Sequence, residues 1–458
     1  MTNQVLIKSP MQTSIYKQAR ITRDPRFDGV FFIAVKTTHI FCRSICPANL
    51  PHEKNVEYFQ HAQQAMNQGY RPCLRCRPDS APQSYAWKGV ETTVNRAMRL
   101  LREHNDLTIK DITLKLGISD RYLRQLFAKY LGLSPKQYQV FNKVLFAKKL
   151  LHETAMNIEN VAHASGFASS RRLQHNFKQI TGLTPLQIRK NKVNQNQNLI
   201  LKLHFRPPFN WHYIQNFLLK RAIDGLETVT ADSYSRTFSI DGLKGWFTAN
   251  YQQGENYLTL EINLPKIEHL SILLSNIERI FDLNADILQI QQQLIKSGIP
   301  KDKLIDGIRL PGVWDTFEAG CRAILGQQIS VKAAISLLSL LTQTLGDKIA
   351  DRYYFPTPQA ISKSNLEFLK IPKSRKQCLQ DFCEYYVTYP NHSPDAWIQI
   401  KGIGPWTISY AKMRGMSEPN IWLETDLIIK KQLDRYKIDS TLSSPWRSYL
   451  TFQLWSMA

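Results

Sequence analysis

The chain has 458 residues, 43% apolar and 21% charged, the proportions of a globular protein but too long for one ordinary core. No run of about eighteen apolar residues and no signal-peptide core occurs, so a membrane-spanning or exported protein is not expected and the cytoplasm is the default. Seven cysteines, four of them in tight pairs, fit a reduced compartment with a metal site better than a disulfide framework.

The formal charge of +22 points to a polyanionic partner. Residues 1–198 carry 30 Lys and Arg against 12 Asp and Glu, whereas residues 199–458 carry 29 against 25. The first part is therefore expected to lie along nucleic acid, and the second to touch it through a local patch.

The first element that carries chemistry is Cys42-x3-Cys46 followed by Cys73-x2-Cys76. Four thiolates make a closed tetrahedral set for one zinc ion. By spacing alone, a staple holding a small basic module together is the simpler reading. The segments Phe32–Arg43 (FIAVKTTHIFCR) and Gly69–Pro78 (GYRPCLRCRP) change it. They strongly resemble the amino-terminal domain of Ada-type methylphosphotriester repair proteins, over residues 12–80.

That resemblance implies that Cys42 accepts a methyl group from DNA; Arg43, Arg71 and Arg75 are candidates to hold neighbouring phosphates. Zinc keeps sulfur deprotonated at neutral pH, and the surplus negative charge of four thiolates keeps it nucleophilic. A methyl phosphotriester has lost the charge that would otherwise repel such a site. Methylation removes one negative charge, worth about 1.7 kcal/mol to a phosphate roughly 10 Å away at an effective dielectric of about 20. A repair event then becomes a DNA-binding switch. Where the family usually has Pro-Ser between the first two cysteines, this chain has Ser44-Ile45.

Residues 83–190 contain an imperfect repeat. Gly117-Ile118-Ser119 is echoed by Gly166-Phe167-Ala168-Ser169, and Gly132-Leu133-Ser134-Pro135 by Gly182-Leu183-Thr184-Pro185. An apolar helical stripe precedes each first glycine, and a capped helix follows, with Leu123 and Phe127 in one copy and Leu173 and Phe177 in the other. This is the helix-turn-helix plan. The block resembles the AraC-type DNA-binding domain, whose second helices enter the major groove. Early in those helices stand Arg121 and Arg124, then Arg171, Arg172, Gln174 and His175 as candidate base readers. The polar tract Asn191–Asn198 reads as a linker, across which little coupling is expected beyond raised local concentration.

Beyond the linker, strand-like alternation (Tyr257–Ile262) gives way to helical stripes from about residue 285 onward. Lys401-Gly402-Ile403-Gly404-Pro405-Trp406-Thr407 is a helix-hairpin-helix loop, in which Gly402, Gly404 and Thr407 are expected to approach a phosphate. With Leu423–Lys430 (LETDLIIK), Arg309–Gly312 (RLPG) and Ala323–Ser330 (AILGQQIS), it resembles an AlkA-type 3-methyladenine DNA glycosylase.

The resemblance implies that Asp426 is the catalytic carboxylate and that Phe217, Trp406, Tyr410 and Trp455 line the base pocket. Gln328 stands where some relatives insert a leucine wedge. Carboxylate assistance suits a reaction that builds positive charge on the sugar, and aromatic faces would stack a flipped base and attract a cationic purine. Trp406 replaces the hairpin lysine of strand-nicking relatives, so a monofunctional enzyme without a cofactor is expected. Cys321, Cys378 and Cys383 read as buried or incidental thiols. No Pro-Cys-His-Arg motif for a second methyltransferase is found.

The expected fold is multidomain and mainly α with α+β parts: a zinc-binding α+β domain (10–82), a paired helix-turn-helix domain (83–190), an AlkA-like α+β lobe (199–284) and all-α helix-hairpin-helix glycosylase lobes (285–458). The expected partners of this monomer are double-stranded DNA, both damaged and promoter, and RNA polymerase. A zinc-stabilised transcription factor whose rear lobe only clamps DNA is the competing reading.

Overall fold

A computed structural model describes residues 10–23, 31–44, 46, 48–59, 65, 68–73, 76, 78, 93–94, 97–98, 100–101, 107–189, 199–390 and 392–457. Arg75 and the tract 191–198 lie outside the described residues. The chain divides into two compact units, Met1–Asn142 and Lys143–Ala458, each taken by itself below.

The first unit opens with the helix Pro10–Thr22 and a sheet of β1 (Phe32–Val35), β2 (Ile40–Arg43), β3 (Val56–Phe59) and β4 (Arg71–Pro72), in the order β3-β1-β2-β4. Strand alternation sends Phe32, Ala34, Phe41 and Phe59 to one face with Tyr70, and Ile33 and Tyr58 to the other with Tyr16, Ala19 and Phe31. The sheet is thus covered on both sides. Arg20, buried on the helix, donates to Tyr58 Oη at 3.3 Å and the Pro51 carbonyl at 3.0 Å, and pairs with Glu53.

The first helix-turn-helix follows in the same unit. Thr108 and Asp111 form a reciprocal capping box on the helix Ile109–Leu116, which ends at Gly117 in the left-handed conformation, φ 67°. Ser119 caps the next helix, Asp120–Leu131, through the Tyr122 N–H. Ile112, Leu123, Leu126 and Phe127 form its core with Val94, Ala97 and Leu101.

The second unit begins with the second copy. Asn157 caps the helix Ile158–Ala164, and Ser169 caps the helix Ser170–Thr181, which stops at Gly182 with φ 74°. Val161, Ala162, Leu173 and Phe177 are buried. The helix Ile158–Ala164 packs against the short helix Ile267–His269, and the Lys202 N–H donates to Glu153 at 3.1 Å. The second helix-turn-helix therefore rests on the following lobe, a contact that the linker's composition did not suggest.

That lobe is an antiparallel sheet of β5 (Leu199–His204), β6 (Glu227–Val229), β7 (Ser233–Ile240), β8 (Leu243–Tyr251) and β9 (Tyr257–Asn263), in the order β5-β9-β8-β7-β6. Leu201, Leu203, Phe247, Ala249, Leu258 and Leu260 fill its buried face. Helices dominate from Leu270 onward. In the helix Thr316–Leu325, every residue from Phe317 to Leu325 is buried. It carries Glu318 and Arg322 into a buried network with Arg236 of β7 and Glu227 of β6, with pairs at 2.8, 2.8 and 2.7 Å. Burial raises the Glu318 carboxyl, but Arg236 and Arg322 outweigh that and hold it at about 2. Truncating one partner would strand a buried charge, so the network ties the sheet to the helices. No helix among the described residues is long and apolar enough to cross a membrane.

Candidate functional sites

The sulfurs of Cys42, Cys46, Cys73 and Cys76 all lie within 4.8 Å of one another. The sheet brings them together. Pairing of β1 with β2 sets Cys42 opposite Ile33, and parallel pairing of β2 with β4 puts Phe41 beside Pro72, one residue before Cys73. Four soft donors and no carboxylate form a set that fits one zinc ion.

The four sulfurs are not equivalent. Cys46, Cys73 and Cys76 are buried, whereas Cys42 is half-exposed. The Arg43 N–H donates to Cys76 Sγ at 3.3 Å, and Cys46 accepts from the backbone of Ala48. Such bonds drain charge from a thiolate. Cys42 has no backbone donor among the described residues: its hydrogen bonds are with Cys46 and Cys76, and these, then burial, push its thiol up while no cation is bound. It borders a cavity of about 450 Å³, lined also by Cys46, Cys73, Thr37, Thr38, Asn49 and His52. Cys42 is thus the most exposed of the four sulfurs, on a cavity wall that Cys46 and Cys73 share. Of the arginines expected to hold phosphates, Arg71 is exposed, but Arg43 is buried and its guanidinium donates to the Cys76 carbonyl at 3.3 Å.

In the helix-turn-helix block the candidate readers Arg121, Arg124, Arg171, Arg172, Gln174 and His175 are all exposed, on the helices that bury Leu123, Phe127, Leu173 and Phe177. Arg124 is already paired with Asp120 at 2.9 Å.

In the rear lobe, Asp426 is the N-cap of the helix Leu427–Arg435. Its Oδ1 accepts from the Ile428 N–H at 3.0 Å, the Ile429 N–H at 3.1 Å and the Trp455 Nε1–H at 3.3 Å. All three bonds fall on one oxygen, leaving Oδ2 without a partner among the described residues. A carboxylate that merely capped a helix would not need the indole.

Trp406 and Tyr410 stack at 5.2 Å, and Phe217, Phe452 and Trp455 follow one another at 5.3 and 5.2 Å. Phe217, Trp406, Tyr410 and Trp455 are only partly buried, each packing against the same core cluster. Between them stand two arginines that the sequence reading passed over, Arg221 and Arg414. Each sits four residues after an aromatic, Phe217 or Tyr410, and that helical spacing was the available signal.

The hairpin loop leads into the helix Pro405–Gly415. Gly402 has φ 95°, and a Cβ there would meet Cys378 Sγ at 3.0 Å, whereas Gly404, the N-cap, faces open space. The open N-terminus is the phosphate-sized position. Thr407 is buried and accepts from Gln327 Nε2 at 3.3 Å, while the same amide donates to the Gly402 carbonyl at 3.0 Å. Thr407 and Gln327 thus brace the loop from within. Gln328 is exposed and held at φ 56°, a conformation a non-glycine residue adopts at a cost of about 1 kcal/mol or more. Arg309 is fully buried and donates to the backbone carbonyls of Asp282, Ala285, Arg206 and Pro208. Cys321, Cys378 and Cys383 are buried.

A four-sulfur metal module, a paired helix-turn-helix and a hairpin-bearing lobe with an aromatic-flanked carboxylate define a multidomain DNA-binding protein with two candidate centres. Three family patterns match in chain order: "Metal binding domain of Ada" at residues 16–79, "Helix-turn-helix domain" at 112–191 and "AlkA N-terminal domain" at 200–315. The chain belongs to the family that joins an Ada-type metal-binding and helix-turn-helix region to an AlkA-type glycosylase region.

The probable bifunctional transcriptional activator/DNA repair enzyme AlkA of Mycobacterium tuberculosis is 26% identical, over 95% of this chain and 94% of its own length. DNA-3-methyladenine glycosylase 2 of Escherichia coli is 31% identical, over 55% of this chain and 95% of itself. The bifunctional transcriptional activator/DNA repair enzyme AdaA of Bacillus subtilis is 31% identical, over 40% of this chain and 85% of itself.

Proposed function

We propose that the protein is a DNA alkylation repair enzyme and adaptive regulator with one single-use and one reusable centre. The observation that carries the reading is the unequal exposure of the four sulfurs, three buried and Cys42 partly exposed. One zinc ion held by Cys42, Cys46, Cys73 and Cys76 would keep these sulfurs deprotonated and nucleophilic. Cys42 Sγ attacks the methyl carbon of a DNA methylphosphotriester. The new S–C bond forms as the C–O bond breaks, its electron pair returning to the phosphate oxygen, so the diester is restored and Cys42 is consumed. Arg71 holds a flanking phosphate.

Loss of one negative charge raises DNA affinity, and the helix-turn-helix pair, through Arg121, Arg124, Arg171, Arg172, Gln174 and His175, directs the protein to promoters and recruits RNA polymerase. Such a protein works at the nucleoid. The domain limits stated from the sequence, 10–82, 83–190, 199–284 and 285–458, are the working boundaries for these activities.

The rear lobe hydrolyses the N-glycosidic bond of alkylated bases such as 3-methyladenine. The flipped base stacks among Trp406, Tyr410, Trp455 and Phe217, the hairpin from Gly402 to Gly404 grips the backbone, and Gln328 enters the vacated space. Oδ2 of Asp426 faces the sugar, stabilises the positive charge as the bond breaks and takes a proton from the attacking water, while the electron pair leaves with the base.

Incubation of the full chain with DNA bearing methylphosphotriesters tests the first centre. Peptide masses should place one added CH2 on Cys42. An unmodified Cys42 would reduce the module to a zinc staple in a transcription factor.

A further inference from the structure

The loop between the helix Thr316–Leu325 and the helix Val331–Leu345 is pinned at both ends. Gln327 Nε2 donates to the Gly402 carbonyl at 3.0 Å and to Thr407 Oγ1 at 3.3 Å, which ties the loop to the hairpin. Ser330 Oγ accepts from the Ala333 N–H at 3.2 Å and fixes the start of the next helix. Gln328 and Ile329 lie between these anchors, and both are exposed. Gln328 turns the chain with φ 56°. Ile329 keeps 37% of its surface open, and Val331, just beyond the cap, keeps 45%.

This apolar tip is braced against the residues proposed to hold a flipped base. Thr407, which accepts from Gln327, follows Trp406 in sequence, and the helix Pro405–Gly415 that carries both also carries Tyr410. The helix Thr316–Leu325 packs along that same helix. Its N-cap is Gly404, the open position of the hairpin. The tip, the hairpin and the aromatic wall therefore share one support.

A base that leaves the duplex exposes two different surfaces. The faces of the neighbouring base pairs are apolar, whereas the edge of the abandoned partner base is polar. The Gln328 amide suits the edge, because between base faces it would lose its hydrogen bonds to water without replacing them. Ile329 suits the faces. It has no polar group to strip of water, and branching at Cβ leaves it little rotamer freedom to lose.

We propose that Ile329 is a positioning residue for base excision, an apolar wedge that enters the stack beside the Gln328 amide and keeps the damaged base in the pocket. The proposal rests on the reading that the Asp426 lobe excises bases from duplex DNA. It gives the stacking half of that task to the residue one position beyond Gln328.

The test places 2-aminopurine, whose fluorescence rises when it is unstacked, beside 3-methyladenine in a duplex. Fluorescence and single-turnover base release by the full chain are followed together. The unaltered chain should raise the fluorescence before the base is released. Ile329→Ala should remove most of that rise and slow release about tenfold, in keeping with the apolar area no longer taken from water. Ile329→Met, apolar and long enough to reach, should restore most of both, whereas Ile329→Asn should restore neither. An undiminished rise in Ile329→Ala, or equal recovery with Asn and Met, overturns the proposal while leaving the glycosylase reading in place. If the unaltered chain releases no base, the glycosylase reading falls and takes the proposal with it.

Discussion

The two reactive centres solve opposite problems. In the proposed methyl transfer Cys42 needs a surplus of negative charge on sulfur, and its site gathers four thiolates and leaves Cys42 the most exposed of them. In the proposed hydrolysis Asp426 survives each turnover, and its site spends one oxygen on three donors and leaves the other without a partner among the described residues. The first centre is assembled from distant strands around a cation, and the second is built on a helix start that needs none. A centre that is consumed is shaped by reactivity; one that is reused is shaped by positioning.

Removing zinc with a strong chelator should break this contrast most completely. Methyl transfer to Cys42 should vanish and the four-sulfur module should lose its fold, since a structural zinc site contributes on the order of 10 kcal/mol. Base release should persist in the same sample, followed by free-base chromatography. Loss of both activities would mean the centres are not independent.

Asp426→Asn comes next. Asn caps a helix as well as Asp does, so the unfolding temperature should barely move. Single-turnover base release should fall about a hundredfold or more, for lack of the carboxylate charge. Retained release would return Asp426 to the role of a simple cap.

The hairpin glycines separate fold from contact. Gly402→Ala forces a side chain onto φ 95° and against Cys378, and should lower stability by about 1 kcal/mol or more in denaturant titration. Gly404→Ala meets open space, so a loss of DNA affinity there, without loss of stability, would report a phosphate lying on the helix start.

The smallest effect concerns pH. Burial raises Asp282 from 3.8 to about 6, even though Tyr449 Oη and the Leu310 N–H donate to its carboxylate. A raised folded pKa favours the protonated state. Its contribution is fully present below about 4 and is lost as pH rises through about 6. Asp282→Asn should therefore stabilise the chain at pH 8, by an amount on the order of 1 kcal/mol, and change little at pH 4. Equal effects at both pH values would show that Asp282 is not the titrating group.

Local chemistry made much of this legible. Cys42-x3-Cys46 and Cys73-x2-Cys76 announced a metal site because ligand spacing is local within each pair. The glycine-serine repeats announced the helix-turn-helix because left-handed C-caps and hydroxyl N-caps are written in adjacent residues, as Gly117 with Ser119 and Gly182 with Thr184 show. Asp426 and its aromatics were named from motif resemblance.

Only the tertiary structure could rank the four sulfurs, because exposure and N–H···S bonds depend on how β1, β2 and β4 pair. It alone turned Arg43 inward to the Cys76 carbonyl, gave Thr407 to Gln327, and put Arg221 on the face of Phe217. Side-chain identity determines which chemistry is available, and it is visible one residue at a time. Which atom of a side chain remains free is decided by partners tens or hundreds of residues away, and folding alone brings those together.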